Sequence, residues 1–295
     1  MLRDLYGRVV TNLRITVTQR CNLNCIYCHR EGEKDFEKEM DAERIAEIAN
    51  AFYRLGVKKL KITGGEPLLR EDICDIIAMM PDFDEISLTT NGMLLSDKAE
   101  ELEESGLDRV NISLDTLNYE KFKYVTGGGN LDSVIEGLIS AINAKLTPVK
   151  LNMVLMKGIN DEEIFEMLKF ANSFNKESTR VILQLIELIP NSNTKDLYIS
   201  PEFFEKQLST ISRAIKIRDM HRRKQFLTPL GIVEIVKPLD NSDFCRHCNR
   251  IRITSDGKIK LCLMSDEKVD ISNLHGEKLK DTILKVIKLR RPFFT

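Results

Sequence analysis

Six times between residues 13 and 189, an apolar run that reads as a strand is followed by a stretch of helical periodicity. The strand-like runs fall at 13–17, 59–63, 85–89, 109–114, 147–155 and 180–189. Among the helical stretches, 41–55 sets Ile45, Ile48, Ala49, Phe52 and Leu55 on one face and stops at Gly56. Residues 131–144 align Leu131, Val134, Ile135, Leu138 and Ile142 in the same way. Shorter helices are expected at 72–80, 97–105 and 119–124, and another, ending near 174, opens on Asn160 and Glu163, spaced as a capping box. Strands connected like this run parallel with right-handed crossovers. Six units are two short of a closed eightfold barrel. The expected fold is α/β, a partial (β/α)6 TIM-like barrel over residues 1–220. After Pro190 the rhythm changes: a helix at 201–214, strands at 231–236 and 250–254, a turn at Asp256-Gly257 and a helix at 278–289 predict a small C-terminal α+β domain over 221–295. The charge run His221-Arg-Arg-Lys224 between them reads as a solvated turn.

The chemistry sits just after the strands, at the rim where parallel α/β barrels bind ligands. The first strand leads into Cys21, Cys25 and Cys28 at CxxxCxxC spacing. Three thiolates in one loop can grip a metal or a cluster, and three is one too few to saturate a tetrahedral zinc or a four-iron cluster. An iron left open can bind a small molecule and pass it an electron. The rival reading is structural zinc, with His29 or a distant residue as fourth ligand. A second trio, Cys245, Cys248 and Cys262, is short by one cysteine in the same way, with thirteen residues between its last two members. Two incomplete sites in one chain favour two clusters over two zincs. The seventh cysteine, Cys74, falls in an amphipathic helix and reads as a small apolar core residue. An odd count without a disulfide pattern, no apolar run of the roughly 20 residues that span a bilayer and an N-terminus without an apolar signal core point to a cytoplasmic, metal-bearing protein with no membrane partner. The net charge of −1 excludes a global field for nucleic acid, so any phosphate must be held by a local cluster. Arg250 and Arg252, on one side of a strand between the second-trio cysteines, can form one, each able to donate in bidentate fashion. Gly64-Gly65-Glu66-Pro67, after the second strand, offers close backbone approach and an acceptor for an ammonium group.

CxxxCxxC with Tyr27 before its third cysteine, followed by Gly-Gly-Glu-Pro, resembles the radical S-adenosylmethionine enzymes. The runs beginning at Leu13, Lys61, Thr89, Ser113 and Phe244 are similar to those of one family among them, the GTP 3′,8-cyclases, and the likeness spans nearly the whole chain. That resemblance implies two [4Fe–4S] clusters, on Cys21, Cys25 and Cys28 and on Cys245, Cys248 and Cys262. It implies S-adenosylmethionine on the first, contacted by Tyr27, Gly65 and Ser113 with Glu66 near its amino group, and with Ile189 where the family often has methionine. Arg14, Lys61, Thr89, Lys150, Arg250 and Arg252 match the GTP positions. The implied reaction is a lyase-class cyclisation. S-adenosylmethionine is cleaved reductively, the 3′-hydrogen of GTP is removed, and C3′ closes on C8 to give 3′,8-cyclo-7,8-dihydroguanosine triphosphate, the first step of molybdenum-cofactor biosynthesis. The implied partners are GTP, an external one-electron donor and a downstream cyclic pyranopterin monophosphate synthase, with a homodimer as an option for assembly. Other readings are a two-cluster radical enzyme acting on a peptide or cofactor, and a non-catalytic zinc module. Beside Ile189 two more departures stand out: Gln184 replaces a family arginine, and the chain ends Arg290-Arg-Pro-Phe-Phe-Thr295 where many members carry Gly-Gly.

Overall fold

The computed structural model describes residues 1–33 and 38–295. Its strands are β1 (Asn12–Thr16), β2 (Lys59–Thr63), β3 (Glu85–Thr90), β4 (Arg109–Ser113), β5 (Val149–Val154), β6 (Val181–Ile186), β7 (Ala214–Ile217), β8 (Lys224–Thr228), β9 (Gly231–Val236), β10 (Arg250–Ile253), β11 (Lys258–Lys260) and β12 (Lys268–Asp270). All belong to one sheet in the order β12-β11-β10-β1-β2-β3-β4-β5-β6-β9-β8-β7. The six expected strands are parallel neighbours in chain order. The helices that connect them include α1 (Ala42–Arg54), α2 (Ile73–Ala78), α3 (Ala99–Glu104), α4 (Tyr119–Thr126), α5 (Leu131–Asn143) and α6 (Ile164–Ser173), and α7 (Glu202–Ile211) follows β6. The sheet ends at β12 and β7, which do not pair with each other, so the barrel stays partial.

The strands expected after residue 220 lie within this same sheet. β10 pairs parallel with β1 and β9 parallel with β6, so eight parallel strands carry antiparallel hairpins at either edge. The turn at residue 220 lies inside the β7–β8 hairpin. Strand β7 is a finding: the residues from Ala214 were expected to close a helix, yet the helix ends at Ile211 and a short edge strand follows. The expected capping box is also absent. Asn160 donates to the Asp115 and Val154 carbonyls, and the Glu163 carboxylate is taken by Thr116 and Lys121. Both side chains are drawn away from helix capping by polar groups of the Asp115–Thr116 loop, β5 and α4.

Alternation along the strands sorts the two faces. Leu13, Ile15, Leu60, Ile62, Leu88, Ile112, Leu151 and Leu183 are buried in one core with Ile48 and Phe52 of α1 and Leu138 of α5. The residues between them are polar and fall into register. Arg14 stands between Arg252 and Lys61, Thr89 beside Asn111, Asn111 beside Lys150, and Gln184 between Asn152 and Glu234. A closed barrel fills its interior with branched apolar side chains. This interior carries amides and charges that cannot pack dry, and it encloses a cavity lined in part by them.

Candidate active site

The loop carrying the first trio is pinned from two sides. On one side Gly65 and Glu66 donate backbone hydrogen bonds to the Thr18 and Arg20 carbonyls at 2.8 and 2.7 Å. A Cβ on Gly65 would lie 2.3 Å from the Arg20 carbonyl oxygen. The glycine thus admits the cysteine loop itself, a closer approach than any side chain allows. On the other side Asn24 and Ile26 donate to the carbonyls of Thr126 and Val125 at the end of α4. Tyr27 donates its hydroxyl to Asp115 Oδ2 at 2.6 Å.

Glu66 is fully buried and does not line the cavity. Its carboxylate accepts from the amides of Leu68 and Asn91 and the hydroxyl of Thr90, which ties the Gly-Gly-Glu-Pro turn to the loop after β3. Burial lifts it to about 7, against the pull of those donors. Asp115 rises to about 6 for the same reason.

The second trio hangs from helix α8 (Ser242–Arg246), capped by the Asn241 side chain on the Phe244 amide, and from β10 and β11. Its backbone is braced from both ends of the chain. Arg8 donates to the Cys245 carbonyl at 3.0 Å, and Arg290, 1% exposed, donates to the Cys248 and Arg250 carbonyls at 3.0 Å each. Both arginines pair with buried Asp4. Arg291 instead forms an exposed pair with Glu267.

All six cysteines line one cavity of about 370 Å³. Burial pushes the Cys25 thiol up to about 12, with Asp115, Cys28 and Cys21 adding to it. Burial raises Cys262 too, helped by Cys248 and Cys245. Each trio is therefore close enough for its thiols to resist ionising together, and a cationic cluster would relieve that. Among the described residues, no three histidine, cysteine, aspartate or glutamate side chains gather tightly enough for a single metal ion. The donor sets fit cluster ligation better than a mononuclear zinc.

Of the other expected residues, Tyr27, Gly65, Ser113, Ile189, Arg14, Thr89, Arg250 and Arg252 all line the cavity. Lys61 and Lys150 stand behind the wall. The Lys61 ammonium is buried with no hydrogen-bond partner among the described residues. Burial, then Arg109, Arg14, Lys150 and Arg250, push it well below the ordinary lysine range. Lys150 donates to Glu234 at 2.9 Å and is brought down to about 8 by burial.

Sequence reasoning passes over three residues. Glu31 binds Arg14 and Arg252 at 2.7 and 2.5 Å. Glu234, with no exposed surface, gathers Lys150, Gln184 and Arg223. Arg223 lines the cavity, and His221 is buried against Phe244 with ring centroids 3.8 Å apart, so the run at 221–224 turns two of its residues inward and leaves Arg222 and Lys224 exposed. Glu234 inside the apolar run Gly231–Val236 was the one available signal, because a carboxylate in the middle of a buried strand needs cations.

The geometry has counterparts among known proteins. Residues 15–171 match the radical SAM superfamily model, and residues 181–294 match the model described as Molybdenum Cofactor Synthesis C. A protein of Archaeoglobus fulgidus named probable GTP 3′,8-cyclase is 53% identical over 294 residues, covering 100% of this chain and 99% of its own. One of the same name from Pyrococcus abyssi is 45% identical, covering 100% of both. Among solved structures, Streptococcus suis SuiB bound to S-adenosylmethionine superposes with a TM-score of 0.64 at 18% identity over 94% of this chain, which spans 64% of SuiB. The enzyme anSMEcpe with bound AdoMet gives 0.61 at 15%, over 94% of this chain and 83% of its own. At those identities the structures speak for the fold alone. The sequence matches run the full length of the chain, which belongs to the GTP 3′,8-cyclase family of radical S-adenosylmethionine enzymes.

Proposed function

We propose that this chain cyclises GTP between C3′ and C8 at the expense of S-adenosylmethionine, opening molybdenum-cofactor biosynthesis. The observation that carries the reading is a pair of unmatched basic side chains, Lys61 and Arg250, among cations otherwise paired with Glu31 and Glu234. Lys61 has a buried ammonium with no partner, and Arg250 forms no ion pair with any carboxylate among the described residues. Buried cations left this way call for an anionic ligand. Held on the two trios, the clusters and S-adenosylmethionine supply one-electron reductive chemistry. The chain's own work is placement. Tyr27, Gly65, Ser113 and Ile189 border the S-adenosylmethionine side, with Glu66 bracing the turn. Arg14, Lys61, Thr89, Lys150, Arg250 and Arg252 hold the nucleotide so that C3′ faces the radical source, and orientation is the main catalytic contribution. We divide this labour near residue 220, with 1–220 to hold S-adenosylmethionine and its cluster and 221–295 to hold the second cluster beside the purine. An external one-electron donor and the downstream pyranopterin synthase complete the reading. Among the described residues, no helix is long and apolar enough to cross a membrane.

The test is anaerobic incubation with reductant, S-adenosylmethionine and GTP. Protein with both clusters should carry about eight irons and form 5′-deoxyadenosine together with a cyclised nucleotide. Deoxyadenosine formed equally well without GTP would mean another substrate, and zinc in place of iron would end the enzymatic reading.

Lys61 adds a pH signature. A triphosphate beside it raises its pKa above the depressed value of the free protein, so binding takes up a proton. Affinity for GTP is then highest below the free pKa and falls as pH rises above it, by about tenfold per pH unit while one proton is linked. Titration calorimetry in buffers of different ionisation enthalpy reads the uptake directly. Lys61→Met should flatten the slope, and an unchanged slope would remove Lys61 from the nucleotide site.

A further inference from the structure

Glu31 lies three residues past Cys28, in the turn Arg30–Gly32. Its carboxylate accepts from Arg14 Nη1 and Thr63 Oγ1 on one oxygen and from Arg252 Nη1 on the other, at 2.7, 3.1 and 2.5 Å. Arg14 and Arg252 stand directly opposite each other on β1 and β10, so without an anion between them their like charges would face one another. The backbone is strained to put the anion there: Arg30 and Glu31 have φ of 48° and 52°, a region that residues with a Cβ seldom occupy. Glu31, Arg14 and Arg252 all line the cavity. Burial works to raise the Glu31 carboxyl, but Arg14, Arg252 and then His29 outweigh it and hold it well below the usual carboxylate range. It is therefore a fixed negative charge where the proposed triphosphate must bind.

We propose that Glu31 is a resident stand-in for a phosphate, displaced when a polyphosphate takes Arg14 and Arg252; the identity of the nucleotide rests on the function proposed above, but the displacement does not. Two effects of the carboxylate oppose each other. It keeps both guanidiniums aimed, which favours binding, and it repels the incoming anion, which does not. At contact distance in a half-buried site, unit-charge repulsion exceeds the gain from ordering two side chains. Displacement lets the left-handed turn relax and frees both guanidiniums for bidentate donation to phosphate oxygens.

The experiment compares anaerobic holoenzyme with its Glu31→Gln variant, using inorganic tripolyphosphate, GTP and guanosine as probes. Glu31→Gln should bind tripolyphosphate and GTP about tenfold more tightly and guanosine unchanged, whereas a merely structural role would move all three together. Glu31→Asp, which keeps the charge, should show no gain. Should Glu31→Gln not fold, hydrogen exchange on the unaltered protein decides. The Gly32 and Glu33 amides, now bonded to the His29 and Arg30 carbonyls, should exchange faster with tripolyphosphate present. Weaker or equal binding by Glu31→Gln, or slower or unaltered exchange, overturns the displacement. Binding of tripolyphosphate but not GTP to the unaltered protein would sink the GTP reading while leaving this test intact.

Discussion

Replacing Arg290 with methionine should empty the second cysteine site of iron while leaving the first loaded. Arg290 is among the most deeply buried large side chains in the protein. Its guanidinium satisfies two carbonyls of the second cysteine segment and one oxygen of Asp4. Methionine fills the volume but donates nothing. The Cys248 and Arg250 carbonyls lose their donor, and Asp4 is left with one ion pair, to Arg8 at 2.7 Å, beside the Tyr6 and Arg8 amides. Breaking a buried pair of this kind costs about 3–5 kcal/mol. The loss should fall on the segment that carries Cys245 and Cys248, because that is where the donated bonds end. Iron analysis should drop to about four per chain, the first-cluster spectrum should persist, and denaturant midpoints should fall. A variant holding its full iron complement would show that Arg290 is packing rather than brace.

Glu234→Leu should be comparably damaging at the other edge of the site. The carboxylate holds Lys150 at 2.9 Å, Arg223 at 2.7 Å and Gln184 at 3.0 Å, with Arg218 farther off at 3.6 Å. Leucine leaves two buried cations facing each other, again costing about 3–5 kcal/mol. The pH dependence identifies the cause. Burial works to raise Glu234, but Arg223, Lys150 and Arg218 together hold it below the usual carboxylate range. A depressed carboxyl contributes stability that is present above its unfolded value of about 4.3 and is lost as pH falls through the lower folded value. The gap in unfolding free energy between the unaltered protein and the variant should therefore be widest near neutrality and shrink in acid. A gap independent of pH would place the damage in shape rather than charge.

The six strands and their parallel order are readable in advance because short apolar runs alternate with helical periodicity, and short connections leave few topologies. Both cysteine trios are readable because sulfur ligation imposes local spacing. Glu31 and Arg223 are not readable in that way. Each sits in a polar turn whose composition matches any solvated loop, and only the fold brings it against partners about 220 and 11 residues away in the chain. The Gly-Gly-Glu-Pro turn is half readable. Its glycines do permit close approach, but to the cysteine loop, and its glutamate spends its oxygens on neighbouring amides. The seating of the C-terminal strands is hidden for a related reason. β9 and β10 look like pieces of a separate small domain, and nothing local tells that β1 and β6 each still lack a neighbour.

That last pairing reaches beyond architecture. The strand that launches the first cysteine loop and the strand that follows Cys248 are bonded side by side in register. The two cysteine-bearing ends of the cavity thus stand on adjoining slats of one blind, and the backbone spacing of β1 and β10 fixes where each is rooted. Sliding one end of the cavity toward the other would require breaking the ladder that joins β1 to β10.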